Sequence, residues 1–239
     1  MAMSPKRPQT RRGKVLAIGG IVATIGVAGF VFAYFVLFPT SSPKRLALSP
    51  STTSSAGASS GSFAGSWTVA TGSTAGYRVR EQLAFLPAQS DAVGRTSAVT
   101  GKATLTQSGK VVQVKTASFD VDVSALTSDR SMRDQRIHSI GLESDHYPTA
   151  TFVLASPITL PATGRIVKLP ATGVFTVHGT ARTKTVPLQL RLSGTTLEAA
   201  GSITFPWSDF KMTAPSVGGF VQVTDSATME FALRLRQAS

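Results

Sequence analysis

The residues of this sequence with the greatest potential for catalysis lie close together around position 138. Ser139 directly follows His138, and Asp134 lies four residues before that histidine, so the group contains the nucleophile, base and acid of a hydrolytic triad. No nucleophile-elbow motif frames the serine, and sequence order alone does not bring the three side chains together. The sequence therefore predicts no catalytic residue here.

The three histidines are also candidate metal ligands. His138, His146 and His178 would need an acid such as Asp145 as a further ligand, but their spacing matches neither H-E-x-x-H nor a comparable metal motif. The chain has no cysteine, which excludes disulfides, thiolate metal sites and thiol nucleophiles. Glycine-rich phosphate motifs are lacking as well. We interpret the histidines as surface residues and predict neither a metal nor a cofactor.

The formal net charge of +12 is concentrated near the N-terminus. Subtracting seven N-terminal basic residues from 24 leaves 17 against 12 acidic residues, a balance of about +5 for the rest of the chain. Nucleic-acid binding normally needs a concentrated basic face with stacking aromatic residues, which we do not find, so we predict no nucleic-acid partner. The seven residues are Lys6, Arg7, Arg11, Arg12, Lys14, Lys44 and Arg45.

Residues 15–38 form an apolar run without a charged residue, and about twenty such residues suffice to cross a bilayer as a helix. The basic tail 1–14 precedes this run, which predicts a cytoplasmic N-terminus, a single-pass anchor in the cell membrane and an extracytoplasmic remainder. A cleaved signal peptide is the alternative, but its apolar region would be shorter. Gly19 and Ala23 have the spacing of small residues in helix pairs, which leaves a homodimer open without establishing one.

Residues 39–66 consist mainly of Ser, Thr, Gly, Ala and Pro. Such a composition cannot bury enough apolar surface to fold, so we predict a disordered linker. A flexible chain of this length typically spans about 30 Å. The linker would let the folded domain, residues 67–239, stand off the membrane and still reach its surface.

Beyond Trp67, apolar and polar residues alternate in short segments, as in Phe119, Val121 and Val123 with acidic residues between them. The same alternation runs through 186–192 and 229–236, and each segment then has one dry face and one wet face. Turn residues at 108–109, 162–164 and 193–194 predict hairpins. The fold class is therefore all-β, an antiparallel up-and-down barrel of about eight strands, with a sandwich as the alternative.

Residues 128–148 interrupt this pattern, because they are polar and do not alternate. We predict a short helix or an ordered loop that caps one end of the barrel. Loops on a rigid scaffold often carry function, and a solvated cap without function is the alternative.

Several segments, in this order, resemble the YceI-like family, whose members are extracytoplasmic lipocalin-like barrels associated with polyisoprenoid lipids. The family usually has a histidine in its first strand region and another after the Arg-Asp pair. Arg80 or Glu81 stands near the first position and Arg136 near the second. A membrane anchor also differs from the cleaved signal that is common in the family. The matching segments are 67–69, 77–80, 101–103, 118–123, 126–128, 133–134, 147–152, 173–179, 186–188, 200–204 and 208–210.

Alternation also predicts which side chains point into the barrel. By itself it does not distinguish a filled core from a hollow one, whereas the resemblance to a lipid-associated family favours a cavity. The predicted ligand-binding residues are Tyr77, Val79, Phe119, Val121, Phe152, Phe175, Val177, Leu188, Leu190, Phe205, Phe231 and Leu233.

Two arginines of the polar segment are predicted to bind the head group of an anionic lipid. Arg133 and Arg136 lie three residues apart, so a helical turn would place them on one face, and a guanidinium group suits phosphate. The competing interpretation is that Arg133 pairs with Asp134 or Asp129 and orders the loop.

The predicted function is non-enzymatic. The domain would sequester or carry a long isoprenoid lipid, a polyprenyl phosphate or a quinone, near the outer face of the cytoplasmic membrane. One alternative is a hydrolase or isomerase acting on such a lipid, with His138 or His178 as general base. Another is an envelope-stress interaction module without a small ligand.

Overall fold

The computed structural model of the chain describes residues 42–49, 62–83, 89–215 and 221–238. The predicted basic tail 1–14 and the predicted membrane helix 15–38 lie outside these residues, as does the central part of the predicted linker. Within the described ranges, no helix has both the length and the apolar character needed to cross a bilayer.

The described part of the chain is built mainly from antiparallel β-strands. One short helix, a π-helical turn at Ile137–Gly141 and a 3-10 turn at Trp207–Phe210 complete the fold. The strands are β1 Gly65–Val69, β2 Thr74–Leu83, β3 Gln89–Thr96, β4 Val99–Ser108, β5 Val111–Asp122, β6 Thr149–Leu154, β7 Ile158–Pro161, β8 Val167–Val177, β9 Thr180–Ser193, β10 Thr196–Pro206 and β11 Val221–Gln237, and the helix is α1 Ser131–Arg136.

These strands form a closed eight-stranded barrel because three pairs of strands each act as one interrupted strand. β1 and β2 both pair with the same edge of β11. On their other edges, β2 pairs with β3 and β1 pairs with β4. β6 and β7 likewise share one edge of β5. Around the rest of the barrel, β4 pairs with β5, β6 with β8, β8 with β9, β9 with β10 and β10 with β11. The pairing of β1 with β11 closes the ring. The predicted up-and-down antiparallel barrel is confirmed.

The predicted turns and alternating faces are also found. Gly109 and Gly194 have φ angles of +57° and +58°, the left-handed conformation that tight hairpins require of a glycine. In β9, Val186, Leu190 and Leu192 are buried, and the residues between them are more exposed. The period-two pattern therefore predicted both the strands and their inward faces.

The polar segment 128–148 closes one end of the barrel. It forms α1 and the π-helical turn that follows, as the sequence predicted. Asp134 accepts a hydrogen bond from the backbone N–H of Ser128 at 2.8 Å and thereby fixes the start of the segment. Ile137 is 3% exposed and packs with Leu126 and Val177 in the apolar cluster beneath.

Two stretches of the predicted linker 39–66 lie against the barrel. Phe63 is buried and accepts a hydrogen bond from the indole N–H of Trp67 at 3.0 Å, and β1 already begins at Gly65. Residues 43–49 cross the outside of the barrel. The Leu48 N–H donates to Gln189 at 3.1 Å, and Arg78 donates to the Pro43 carbonyl at 2.7 Å. These stretches differ from the predicted free tether because barrel side chains satisfy their backbone groups.

Candidate functional site

A cavity of about 140 Å³ lies inside the barrel. Residues of two apolar clusters line it, one cluster around Trp67, Leu105 and Leu235 and the other around Val177 and Phe210. Packed protein cores contain few voids larger than a water molecule, which needs about 10–15 Å³. The barrel is therefore hollow in its middle, and the wall of the cavity consists mainly of aliphatic and aromatic side chains.

Most of the predicted inward residues line this cavity. They are Tyr77, Phe119, Val121, Phe152, Phe175, Val177, Leu188, Phe231 and Leu233. The other three, Val79, Leu190 and Phe205, are 4%, 3% and 2% exposed and lie in the same apolar clusters, but they are not among the residues that line the cavity. Alternation identifies the face of a strand, but it carries no information about the level of a residue along the barrel axis.

Sequence reasoning missed other parts of the wall. Leu126 and Leu142 flank the helical cap and contribute to the cavity from its closed end. Both are apolar residues in or beside a polar stretch, a signal that would have identified them. Ala75, Ala150 and Ala199 line the cavity too, and small side chains at inward positions leave space inside the barrel.

Three phenylalanines form a row across neighbouring strands of the wall. Phe119 of β5 is opposite Phe152 of β6, which is opposite Phe175 of β8. The ring centres of Phe119 and Phe152 are 6.4 Å apart with nearly parallel planes, and those of Phe152 and Phe175 are 4.7 Å apart and tilted. Cross-strand aromatic pairs stabilise a sheet, and here they also give the cavity a continuous aromatic surface.

Four aromatic side chains of the wall lie against glycines of adjacent strands. A β-carbon on Gly94 would be 2.3 Å from the ring of Tyr77, and one on Gly173 would be 2.0 Å from the ring of Phe152. The rings therefore occupy space that any other residue would fill. A glycine within a strand is the sequence signal of such a close approach. The pairs are Tyr77 with Gly94, Phe119 with Gly101, Phe152 with Gly173 and Phe231 with Gly201.

The hydroxyl of Tyr77 is a polar group in this apolar wall. The side chain is 7% exposed, and its hydroxyl is buried without a hydrogen-bond partner among the described residues. Burial raises the pKa of Tyr77 well above its ordinary value. The positive charge of Arg133 opposes this shift, and the carboxylates of Asp134, Glu81 and Asp129 add to it. The hydroxyl therefore stays protonated at neutral pH.

Arg133 is held by two carboxylates. Its guanidinium group donates to Glu81 at 2.6 Å and forms an ion pair with Asp129. Burial lowers the pKa of Arg133, but the hydrogen bonds and charges of Glu81 and Asp129 outweigh this effect and raise the pKa above its ordinary value. Arg136 lies on the same helix but is exposed. Of the two predicted partners of Arg133, Asp129 is the one it contacts, while Asp134 caps the segment through Ser128.

The histidines are placed differently from one another. Both ring nitrogens of His138 are engaged, Nδ1 with the Ser144 hydroxyl at 2.8 Å and Nε2 with the Leu126 carbonyl at 3.0 Å. His146 is exposed, as is Ser139. His178 is only 11% exposed and lies 3.3 Å from a carboxylate oxygen of Glu143. No group of three metal-ligating side chains occurs within the described residues.

A buried ion cluster lies behind the cavity wall. Glu230 lies between Met229 and Phe231 on β11 and is, like them, among the residues that line the cavity, while its carboxylate contacts two arginines. Glu230 is fully buried and accepts hydrogen bonds from Arg78 at 3.3 Å and from Arg95 at 2.9 Å. Arg78 is 4% exposed, pairs also with Asp91, and donates to the Pro43 carbonyl. The cluster thus joins three strands to the stretch 43–49.

A closed antiparallel barrel around an apolar cavity defines a lipocalin-like fold. The YceI-like domain family matches residues 67–235, well over half of the chain, and the chain belongs to this family. The predicted resemblance is thereby confirmed. No curated protein matches the sequence.

Solved structures are similar to the chain at low sequence identity. A polyisoprenoid-binding domain from Saccharophagus degradans, implicated in plant cell wall breakdown, is 15% identical with a TM-score of 0.53, and the match covers 72% of this chain and 98% of that domain. BcnA from Burkholderia cenocepacia is 19% identical with a TM-score of 0.49, covering 67% and 95%. The YceI protein of Campylobacter jejuni is 12% identical with a TM-score of 0.42, covering 57% and 81%.

Proposed function

We propose that the domain binds a long isoprenoid lipid in its barrel and does not catalyse a reaction on it. The observation that carries this proposal is the apolar cavity, whose aromatic rings lie back on glycines so that the interior remains open. Removal of an isoprenoid tail from water would supply the affinity, at about 25 cal/mol per Å² of apolar surface. Membership in the YceI-like family and the polyisoprenoid-binding domain with the same fold support this ligand class.

The surroundings of the histidines support the absence of catalysis. A general base needs a free ring nitrogen that faces the substrate. His138 uses both nitrogens for contacts within the cap, and His178 is not among the residues of the cavity wall. The proposed role is therefore storage or transport of the lipid.

The decisive experiment is extraction of the lipid that copurifies with the full chain, followed by mass spectrometry. We expect an isoprenoid lipid in stoichiometric amount. The matched control is Ala199→Phe, which would place a large ring in the cavity and should lose the lipid while the barrel stays folded by circular dichroism. A wild-type protein without any lipid, which also fails to take up added isoprenoids, would refute the proposal.

We further propose that residues 15–38 anchor the domain outside the cytoplasmic membrane. The uncharged apolar run and the basic residues before it support this topology. Protease added to intact cells should remove the barrel and leave the first forty or so residues protected. Release of the domain without protease would instead indicate a cleaved signal peptide.

A further inference from the structure

The charged residues of the barrel are divided unequally between its two ends. The cap segment 128–148 closes one end, and the β4–β5, β7–β8 and β9–β10 turns lie at the other, because successive strands are antiparallel. All acidic residues of the chain except Glu198 and Glu230 lie in the cap segment or in the half of the barrel next to it. The sequence between Asp145 and Glu198 contains lysines and arginines but no acidic residue.

Four exposed cations lie at the end opposite the cap. Within the described ranges, none of the four forms an ion pair. Their charges therefore act on whatever approaches this end of the barrel. They are Lys110 in the β4–β5 turn, Arg165 in the β7–β8 turn, Lys168 at the start of β8 and Arg236 at the end of β11.

The two acidic residues outside the capped half do not neutralise these cations. Glu198 already pairs with Arg191 at 2.6 Å and with Arg234 at 3.4 Å. Glu230 is fully buried, and its carboxylate contacts two arginines as well. The end opposite the cap therefore keeps a net positive charge.

An exposed apolar tip lies among the cations. Val111 follows Lys110, is 49% exposed, and lies opposite Pro161, which is exposed too. The Ala162 N–H donates to the Lys110 carbonyl at 2.9 Å, so the turns that carry Lys110 and Arg165 are joined. Apolar side chains flanked by cations suit the interface of an anionic bilayer, because burial and electrostatic attraction then act together.

We propose that this end of the barrel binds the surface of a bilayer that contains anionic phospholipids. Val111 and Pro161 would enter the head-group region, and the four cations would lie near the lipid phosphates. We call these six residues the basic tip. The contact involves the outer surface of the barrel, so it goes beyond the proposed lipid-binding function and does not depend on what the cavity holds.

A bilayer fits the basic tip better than another polyanion does. Single-stranded nucleic acids are bound by aromatic side chains that stack on bases. Among the described residues, the large exposed hydrophobic side chains include one aromatic, Tyr147, and it lies in the cap segment. A soluble acidic polymer would pair with the cations but would not bury Val111 and Pro161. A bilayer offers both a layer of anionic groups and an apolar region beneath it.

The test uses the full chain, which has no cysteine, so that one introduced cysteine can carry an environment-sensitive bimane label. Val111→Cys places the label at the basic tip, and Met132→Cys, at a cap position that is 76% exposed, is the matched control. Each protein is reconstituted with vesicles of phosphatidylcholine, with or without phosphatidylglycerol. We expect a blue shift of the label at position 111 in the anionic vesicles alone. It should disappear in about 1 M salt, where the Debye length is about 3 Å, and the label at 132 should not respond.

Charge variants test the role of the cations. In the labelled Val111→Cys protein, Lys110→Gln and Arg165→Gln should each weaken the contact about fivefold, measured as the fraction of label in the blue-shifted state. Arg136→Gln with Lys211→Gln removes two exposed cations from the capped half and should leave that fraction unchanged. All these side chains are exposed, so the melting temperatures should stay close to that of the parent.

Three results would overturn the inference. A blue shift at position 132 in place of 111, or at neither position, would show that the basic tip does not contact the bilayer. Equal shifts at 111 in neutral and anionic vesicles would leave no role for the cations. A shift at 111 that appears with soluble dextran sulfate but not with anionic vesicles would assign this surface to an acidic polymer.

Discussion

Gly94 of β3 lies directly opposite Tyr77 of β2, and the aromatic ring covers the glycine so closely that a β-carbon there would be 2.3 Å away. Phe231 has the same relationship to Gly201, and Phe119 to Gly101. Each ring lies along the wall instead of extending across the barrel. The hollow interior therefore depends on residues that have no side chain.

The closest approach of a ring to a glycine is that of Phe152 to Gly173, which are diagonal neighbours because Gly173 lies opposite Leu154. A β-carbon at position 173 would be 2.0 Å from the Phe152 ring and 2.7 Å from the backbone carbonyl oxygen of Val153, so Gly173→Ala must displace the ring, the backbone or both. We expect a loss of about 1–3 kcal/mol in the free energy of unfolding, typical of overpacking, and a lower lipid content. Urea denaturation and lipid extraction measure the two effects.

The control is the double variant Gly173→Ala with Phe152→Leu. If the clash with the ring causes the loss, the smaller leucine should recover part of the stability, and the two changes should be strongly non-additive. Additive effects would show that Gly173 is needed for its backbone and not for the ring.

The ion pair of Arg133 leads to a second prediction. Arg133→Gln breaks the contact with Glu81 at 2.6 Å, where both side chains are mostly buried at 15% and 13% exposure. We expect a destabilisation of about 1.5–3 kcal/mol in urea denaturation, the value of a hydrogen bond to a charged group. Arg136→Gln, at an exposed position of the same helix, should change stability by less than about 0.5 kcal/mol. Equal effects of the two substitutions would contradict a structural role for Arg133.

The sequence predicts those features of this fold that depend on residues close together in the chain, and not those that depend on distant residues. Alternation in segments such as 119–123 and 186–192 is a local signal, and it was sufficient for the strands, their inward faces and the hairpins. The polar interruption at 128–148 was also local, and it correctly indicated the cap. Whether Val79, Leu190 and Phe205 lie at the height of the cavity along the barrel axis depends on how neighbouring strands are staggered around the barrel. The sequence of a single strand does not contain this information.

The buried ions illustrate the same limit. Glu230 is an outward residue by alternation, and an outward glutamate is expected to be solvated. In the structure it is fully buried, because Arg78, Arg95 and the stretch 43–49 cover it. That stretch lies more than 180 residues away in sequence, within a segment whose composition indicated disorder. Composition describes the ability of a segment to fold alone, but not its ability to pair with an existing surface.

A third prediction concerns this cluster. Glu230→Gln removes the negative charge that joins Arg78 to Arg95, and among the described residues it leaves Asp91 as the carboxylate that pairs with the buried Arg78. We expect a loss on the order of 3 kcal/mol in the free energy of unfolding.

Glu198→Gln is the matched control for Glu230→Gln. Glu198 also contacts two arginines, Arg191 and Arg234, but its side chain is 17% exposed, so the loss should be about 1.5 kcal/mol, the lower end of the range for a hydrogen bond to a charged group. A smaller loss at Glu230 than at Glu198 would show that burial does not govern the strength of these clusters.

The fourth prediction is a loss of stability at alkaline pH that originates from Tyr77. Burial raises the pKa of Tyr77 in the folded protein above its unfolded value of about 10. The unfolded chain therefore releases this proton first. The contribution is fully present below about pH 10, and it is lost as the pH rises from there toward the folded pKa. Wild-type stability should consequently fall more steeply than that of Tyr77→Phe over this range.

The measurement is the free energy of unfolding in urea at several pH values from about 8 to about 11, on either side of the ordinary tyrosine pKa. All other titratable groups are the same in the two proteins, so the difference between the two curves isolates Tyr77. Tyr147→Phe is the control, because Tyr147 is 37% exposed, and its curve should remain as steep as that of wild type. If the curves of wild type and Tyr77→Phe stay parallel above pH 10, then Tyr77 ionises in the folded barrel as it would in water, and its hydroxyl is not buried.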